Sequence, residues 1–411
     1  MTSWLRTFVM LAAAASLGSC ASKLPESAAD AASSASVQQR PEPLRPLYAR
    51  LGTEGHRNEV LNRMEIGTMA FFYGDIPEAT ENFDIVLNSI EAIWANSESA
   101  VRARSLWYNE AEKDFKGEPY ERIMAYYYRG LLYLAKDDFE NASASFKGGL
   151  VQDAFAEEEQ NRSNFALLMF LDGWAHQCRG NYKDATEHYD EARKFRPDFQ
   201  FPKPGENVLV ILETGKSPRK ISDGIGHGEL KFRRGRNFSE ARAEIVSGQP
   251  AIELYPMEDI FLKASTRGGR PIDAIIQGKV AFRQNTEQIG TVLSDVSRVA
   301  ILTSPAFSGG AGGALGAAGA GIGVASAVSL AIAANTGTQA DTRYWGGLPD
   351  AVHVKTLASL PAGPLSAVYL DDKRVPAEGP EIQNSVRQFG GRCKLVWGRS
   401  RRPEPAPPQP K

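Results

Sequence analysis

Two textures of hydrophobic patterning divide the chain. From Asn58 to Pro202 the apolar residues recur at helical spacing, broken by short polar turns such as Gly180-Asn181. After Pro202 the pattern shortens to runs and alternations. Val208-Leu209-Val210-Ile211-Leu212 is an uninterrupted apolar run between Pro204-Gly205 and Thr214-Gly215, the mark of a buried strand. Basic Glu229 to Arg236 predicts an edge strand, and Ala251 to Tyr255 another strand. Ala351 to Leu357 and Leu365 to Leu370 read as a hairpin turned by Pro361-Ala362-Gly363-Pro364, and Lys394 to Trp397 as the strand that closes the sheet. Between these strands Pro271 to Ile301 carries Ile275, Ile276, Val280, Ile289, Val292, Leu293 and Val296, the spacing of one or two amphipathic helices.

Within the helical block three segments align. Gly67, Gly74, Ala79 and Phe83 have the mutual spacing of Gly130, Asp137, Ala142 and Phe146, and again of Gly173, Gly180, Ala185 and Tyr189. The third copy continues with Tyr182, Ala192 and Pro197. Each position has a physical task. The first glycine lets two helices approach, and the second turns the chain between them. The alanines thin the packed face, the aromatic fills the groove, and Pro197 stops the helix. This pattern resembles the tetratricopeptide repeat, although the copies are farther apart than the ~34 residues of a simple tandem array. Extra helix is therefore expected between the first two, over Ile90 to Asp114, where Ile93, Trp94, Val101, Leu106 and Trp107 stand.

The fold class that follows is α+β: an N-terminal helical repeat array and a small mixed β domain with a helical, Gly/Ala-rich insert. The expected divisions are 1–19 signal peptide, 20–50 lipidated cysteine and disordered tether, 51–202 repeat domain, 203–398 C-terminal domain with the insert at 305–340, and 399–411 disordered Pro-rich tail. The tether rests on an Ala-, Ser-, Glu- and Pro-rich composition with little apolar periodicity.

The N-terminus changes the picture most. Arg6 precedes a short apolar stretch, Phe8 to Leu17, that ends in Leu17-Gly18-Ser19-Cys20. This resembles a bacterial lipobox, in which Cys20 is lipidated and becomes the new N-terminus. Ala21 after it, by resemblance to Gram-negative lipoproteins, implies sorting to the outer membrane, facing the periplasm. Composition adds little: 42% hydrophobic and 23% charged residues are ordinary, and a net charge of −2 supplies no global field to gather nucleic acid. After Cys20, Cys178 and Cys393 are the remaining thiols. An exported chain permits them to pair, tying the repeats to the last strand, and the sequence leaves that open.

A wider resemblance rests on Glu118-Pro119-Tyr120-Glu121-Arg122, Tyr128 to Leu134, Ala340 to Trp345, Leu348-Pro349 and Leu360 to Gly363. These are similar to a family of bacterial tetratricopeptide-containing lipoproteins of uncharacterised function. The resemblance implies a periplasm-facing lipoprotein. The Gly/Ala-rich segment departs from that family.

Candidate chemistry is sparse. Tyr126, Tyr127 and Tyr128 lie about 100° apart on one helix, so not all three are expected to face a core. Tyr126, Tyr127 and Arg129 are candidates for a partner-binding groove, with packing against the inserted helix as the alternative. Arg343 and Trp345 are candidates for gripping a carboxylate or sugar. Against that stands a structural role, with Asp341 paired to Arg343 and Trp345 filling the core. Glu157 to Glu159 reads as a solvated loop or helix cap. The 5 His are scattered, and His176 and His188 fall on different helices, so neither a metal nor a cofactor is expected. The segment between Arg298 and Asp341 admits three readings. A phosphate loop lacks its leading strand and its following Lys-Ser. A glycine-zipper membrane segment over 309–334 has glycines spaced by four. A small-residue helix packed in the domain is the third. The leading function is a non-enzymatic, membrane-anchored scaffold for periplasmic or membrane proteins, with cell-wall synthesis or secretion machinery as clients. The alternative is a membrane-inserting homo-oligomer using 309–334.

Overall fold

The computed structural model describes residues 28–92, 114–154, 165–223, 229–248, 250–265 and 341–407. Cys20, the stretch 93–113, Glu157 to Glu159, Pro271 to Ile301 and the Gly/Ala-rich segment therefore lie outside the described residues. The chain divides into two compact units, 1–55 and 56–411. The expected repeat and β domains are thus one unit.

In the first unit, helices occupy much of residues 28–50, part of the stretch where a disordered tether is expected. Helices α1 (Ala28–Ser33), α2 (Ala35–Gln38) and α3 (Arg45–Glu54) follow one another. Alanine favours helix here, and Pro46 stands in the first turn of α3, where its missing N–H costs nothing. Arg40 stacks over Tyr48 at 4.4 Å and its carbonyl accepts from Arg45 Nε at 3.0 Å.

The second unit begins with helices α4 (Glu59–Tyr73), α5 (Ile76–Ala92), α6 (Pro119–Leu134), α7 (Phe139–Ala154), α8 (Ala166–Cys178) and α9 (Tyr182–Arg193). They form three helical hairpins, stacked so that α5 meets α6 and α7 meets α8. The three hairpins use the same devices. Gly74, Asp137 and Gly180 turn the chain at φ 80°, 57° and 84°, the left-handed region that glycine, and to a lesser degree aspartate, enters cheaply. A Cβ at Gly67 would lie 2.8 Å from the Phe83 ring, and one at Gly173 would lie 2.5 Å from the Tyr189 ring. Gly130 is pressed against Phe146 in the same way. Ala79, Ala142 and Ala185 are buried between the helices, and Tyr182, a position of the repeat signature, is half-exposed at the start of α9.

Among the described residues ten strands follow: β1 (Val208–Thr214), β2 (Arg219–Asp223), β3 (Glu229–Arg233), β4 (Arg242–Val246), β5 (Ile252–Glu253), β6 (Tyr255–Asp259), β7 (Ala351–Leu357), β8 (Ser366–Leu370), β9 (Val386–Phe389) and β10 (Lys394–Arg399), with the short helix α10 (Ile260–Ser265) after β6. A five-stranded sheet runs β6-β7-β1-β10-β9, a three-stranded sheet runs β5-β4-β8, and β2-β3 form a separate ribbon. Two expectations are corrected here. β7 and β8 make no hairpin, because β7 pairs with β1 and β6 while β8 pairs with β4, so 361–364 links two sheets. Lys394 to Trp397 is no closing edge: β10 lies inside the sheet, parallel to β1, with Ile211 opposite Trp397.

All seven residues of β1 are buried because both faces of the sheet are covered. On one face Val208, Val210, Leu212 and Val396 pack with Ala243, Ile245, Ala367 and Tyr369 of the three-stranded sheet. On the other, Glu213 and Trp397 meet the helices. The Trp397 ring lies 4.7 Å from Phe71, and Glu213 accepts from Tyr127 and Tyr128. A disulfide joins Cys178, at the end of α8, to Cys393, just before β10. The expected disordered tail is also corrected for residues 399–407. Arg401 Nε donates to buried Glu240 at 2.5 Å, and Ala406 N to Glu65 at 3.3 Å. Among the described residues no helix is long and apolar enough to cross a membrane.

Candidate functional site

The three candidates for a partner-binding groove, Tyr126, Tyr127 and Arg129, are inside the molecule. Tyr127 and Tyr128 have no exposure, and their hydroxyls donate to the two oxygens of Glu213 at 3.0 and 2.9 Å. Tyr126 is buried and donates to Glu91 at 3.0 Å. Arg129 is buried too. Its Nε donates to Asp84 at 2.6 Å and its guanidinium stacks on Tyr133 at 3.7 Å. The physical reason is enclosure. α6 lies between α5 and α7 with the sheet across its third side, so more than one face is a core face. None of the three presents a surface to a partner.

Arg343 and Trp345 are buried for a related reason. The segment from Asp341 to Asp350 is threaded between helices and sheet, and buried carboxylates collect its backbone N–H groups. Trp345 N donates to Glu121 at 2.7 Å, and Gly346 N to Glu65 at 2.8 Å. Arg343 donates to Asp341 at 2.7 Å and to Asn58 Oδ1 at 2.8 Å. The Trp345 ring fills the space between Phe83 and Tyr128. Arg399 donates to the carbonyls of Gly347 and Leu348 at 2.6 and 2.8 Å and lies 3.5 Å from Glu213. These groups hold one another, which is the structural role rather than the gripping one.

The recess that does open to solvent is basic. It has a volume of about 210 Å³ and is built from the turn after β1, the β2-β3 ribbon, the threaded segment and the C-terminal residues. Five cations line it, Lys216, Arg219, Arg236, Arg399 and Arg402, against one carboxylate, Glu404. Arg399 is committed inward to Glu213, and Lys216 pairs with Glu404 at 2.8 Å. Arg402 stands over Tyr73 at 5.6 Å. Arg219 donates to the Arg234 carbonyl at 3.3 Å. Burial, then the like charge of Arg236, hold its guanidinium below its ordinary pKa. Tyr344 adds a half-buried phenol, raised by burial. Such an arrangement suits a carboxylate or phosphate group presented at the surface of another molecule. The sequence signal for it is Arg233-Arg234-Gly235-Arg236 and Arg401-Arg402, two basic clusters far apart in the chain.

Two histidines read as unrelated from the sequence are brought together. His176 and His188 stack at 5.1 Å beside Asp172, because α8 and α9 are the two arms of one hairpin. Burial lowers the pKa of His176 and favours the neutral ring. The signal for this convergence is Asp172-x-x-x-His176 followed by Asp184-x-x-x-His188, an (i, i+4) pair on each arm.

The fold and the sites define a class: a mixed α+β protein in which stacked helical hairpins are fastened to a sheet that also carries a basic recess. Comparison of the chain with protein families, with curated proteins and with solved structures finds no match in any of the three.

Proposed function

We propose that the chain is a membrane-anchored envelope lipoprotein that acts as a non-enzymatic scaffold, and that it engages an acidic segment of a periplasmic or membrane protein through the basic recess. The observation that carries this reading is the convergence of Lys216, Arg219, Arg236 and Arg402 on one solvent-facing hollow. Anchoring rests on the Leu17 to Cys20 motif and an outer-membrane address on Ala21. The Cys178–Cys393 disulfide supports export, since disulfides persist in oxidising compartments. The three hairpins support a scaffold, because their glycine, alanine and aromatic positions carry the tetratricopeptide spacing.

The recognition surface differs from the one that spacing suggests. The inner helices α4, α6 and α8 face the chain's own sheet, so a partner helix finds no groove there. Among the described residues the recess is an accessible hollow with convergent polar groups. The test is photocrosslinking in cells from probes at Tyr344 and Arg236, with Tyr182 as the control position. Adducts to one envelope protein, lost in Arg219→Glu/Arg236→Glu, support the reading. Adducts that survive charge reversal, or arise equally from Tyr182, would sink it.

A further inference from the structure

We infer that Asp172, His176 and His188 form a binding site for a single divalent transition-metal ion of the zinc type, inside the α8-α9 hairpin and separate from the basic recess. The argument begins with the geometry. The candidate ligand atoms of these three residues lie within 4.8 Å of one another. His188 Nε2 is 3.3 Å from Asp172 Oδ2, and His176 Nε2 is 3.7 Å from Asp172 Oδ1. A tetrahedral zinc site with bonds near 2.1 Å has ligand-to-ligand edges of roughly 3.4 Å, which the two His–Asp distances, one to each carboxylate oxygen, already bracket, while the widest separation, within 4.8 Å, has to close on binding. Two neutral imidazoles and one carboxylate are also the donor set this ion favours over calcium or magnesium.

The second observation is a deficit of partners. Asp172 is fully buried, and no hydrogen bond reaches its Oδ2. His176 is 6% exposed, and its Nδ1 has no hydrogen-bond partner. Leaving a buried carboxylate oxygen without a donor is costly, and coordination removes the cost. The outer groups are in place as well. Ser143 Oγ donates to Asp172 Oδ1 at 2.6 Å, which fixes the carboxylate plane. Asp184 Oδ2 lies 3.7 Å from His176 Nδ1, too far for a hydrogen bond as it stands but on the side from which a second carboxylate orients a ligating imidazole after a small approach.

The third observation is the side chain that already approaches these atoms. Lys147 Nζ lies 3.3 Å from His176 Nε2 and 3.8 Å from Asp172 Oδ2. The place attracts a cation, and Lys147 is a built-in competitor for it. Its side chain is about half-exposed, at 48%, so it can swing out into water when an ion enters. A purely structural cluster makes no use of this competition, and the test exploits it.

The full-length chain, purified without an affinity tag and stripped with chelator, is titrated with Co²⁺ alone. The visible d–d absorption of tetrahedral cobalt is the readout, and Zn²⁺ then displaces the cobalt. The expected result is one equivalent per chain, an affinity reduced by about 10-fold or more in His188→Ala, and an affinity increased in Lys147→Met. His188 is only partly buried, so that variant retains the fold even where His176→Ala does not, and circular dichroism checks it. The loss in His188→Ala is at least that of an outer-shell change, about 10–100-fold. A folded chain that gives no stoichiometric cobalt band overturns the inference. So does a band indifferent to both His188→Ala and Lys147→Met.

Discussion

Glu213 has no exposure, and four groups converge on its carboxylate: the Tyr127 and Tyr128 hydroxyls, the Trp397 indole at 3.2 Å and the Arg399 guanidinium. Burial pushes its pKa up, and Arg399 with the three hydrogen bonds pulls the other way. Replacing it with glutamine removes the counter-charge of buried Arg399 and puts a donor among donors. We expect Glu213→Gln to cost about 3–5 kcal/mol in chemical denaturation, the range for breaking a buried pair. Tyr127→Phe removes one bond to a charged acceptor and is expected to cost about 1.5–3 kcal/mol in the same assay. A cost below 1 kcal/mol for both would mean that the network does not hold the helices to the sheet. At this scale the sequence is informative for Gly67, Gly130 and Gly173, whose spacing to Phe83, Phe146 and Tyr189 marks the close contacts that the structure shows. Gly67→Ala is therefore expected to destabilise by about 1–3 kcal/mol through overpacking against Phe83. The sequence is not informative for Glu213. An acidic residue at the end of an apolar run reads as a strand end, and its partners lie 85 and 184 residues away.

Among the elements, the C-terminal segment shows how a composition misleads. Arg399 to Pro407 is proline-rich, with a sequence that suits a disordered tail, yet it runs back along the molecule as an ordered strap. Glu240 is the clasp. Burial is the largest single influence and raises its pKa, but the hydrogen bonds from Arg401, the backbone and Ser400, together with the Arg401 charge, outweigh it and the net shift is downward. The sign then follows. A depressed carboxylate contributes stability that is present above its unfolded value near 4.5 and is lost as pH falls through the lower folded value. Protection of the Ala406 amide against hydrogen exchange, measured relative to its intrinsic rate at each pH, is expected to fall once pH drops below about 4.5, with Glu240→Gln showing the lost protection already at neutral pH. Protection that does not change across that window would remove the clasp. The strands tell a similar story. β1, β7, β8 and β10 are legible as strands from their apolar patterns, because period and residue type are local. Which strand pairs with which is not. β1 beside β10 in parallel joins residues far apart in sequence, and nothing in either strand marks its neighbour.

For the whole molecule, one covalent bond and one charge cluster decide behaviour. The Cys178–Cys393 disulfide closes a separation of 215 residues between helices and sheet. Its reduction is expected to lower stability by about 2–5 kcal/mol, read as a fall in melting temperature with and without reductant. The sequence supplies both thiols, and a lipobox-like start on which the proposed export rests. It does not supply the proximity, which exists only because the sheet covers the inner face of the hairpins. By itself the sequence determined the helical hairpins, the glycine and aromatic positions within them, strands β1, β3, β7, β8 and β10, and the lipobox-like start, but not β2, β4, β6 or β9. Each of these depends on residues within a few turns of one another. The tertiary structure alone decided the rest. It buried Tyr126, Tyr127, Arg129, Arg343 and Trp345, which chain position leaves free to face a partner, by laying a sheet and a threaded segment over them. It gathered Arg219, Arg236 and Arg402 into one recess, and Asp172, His176 and His188 into one cluster. Periodicity reports which face of an element is apolar. What covers that face depends on contacts between distant segments, and these leave no local pattern to read.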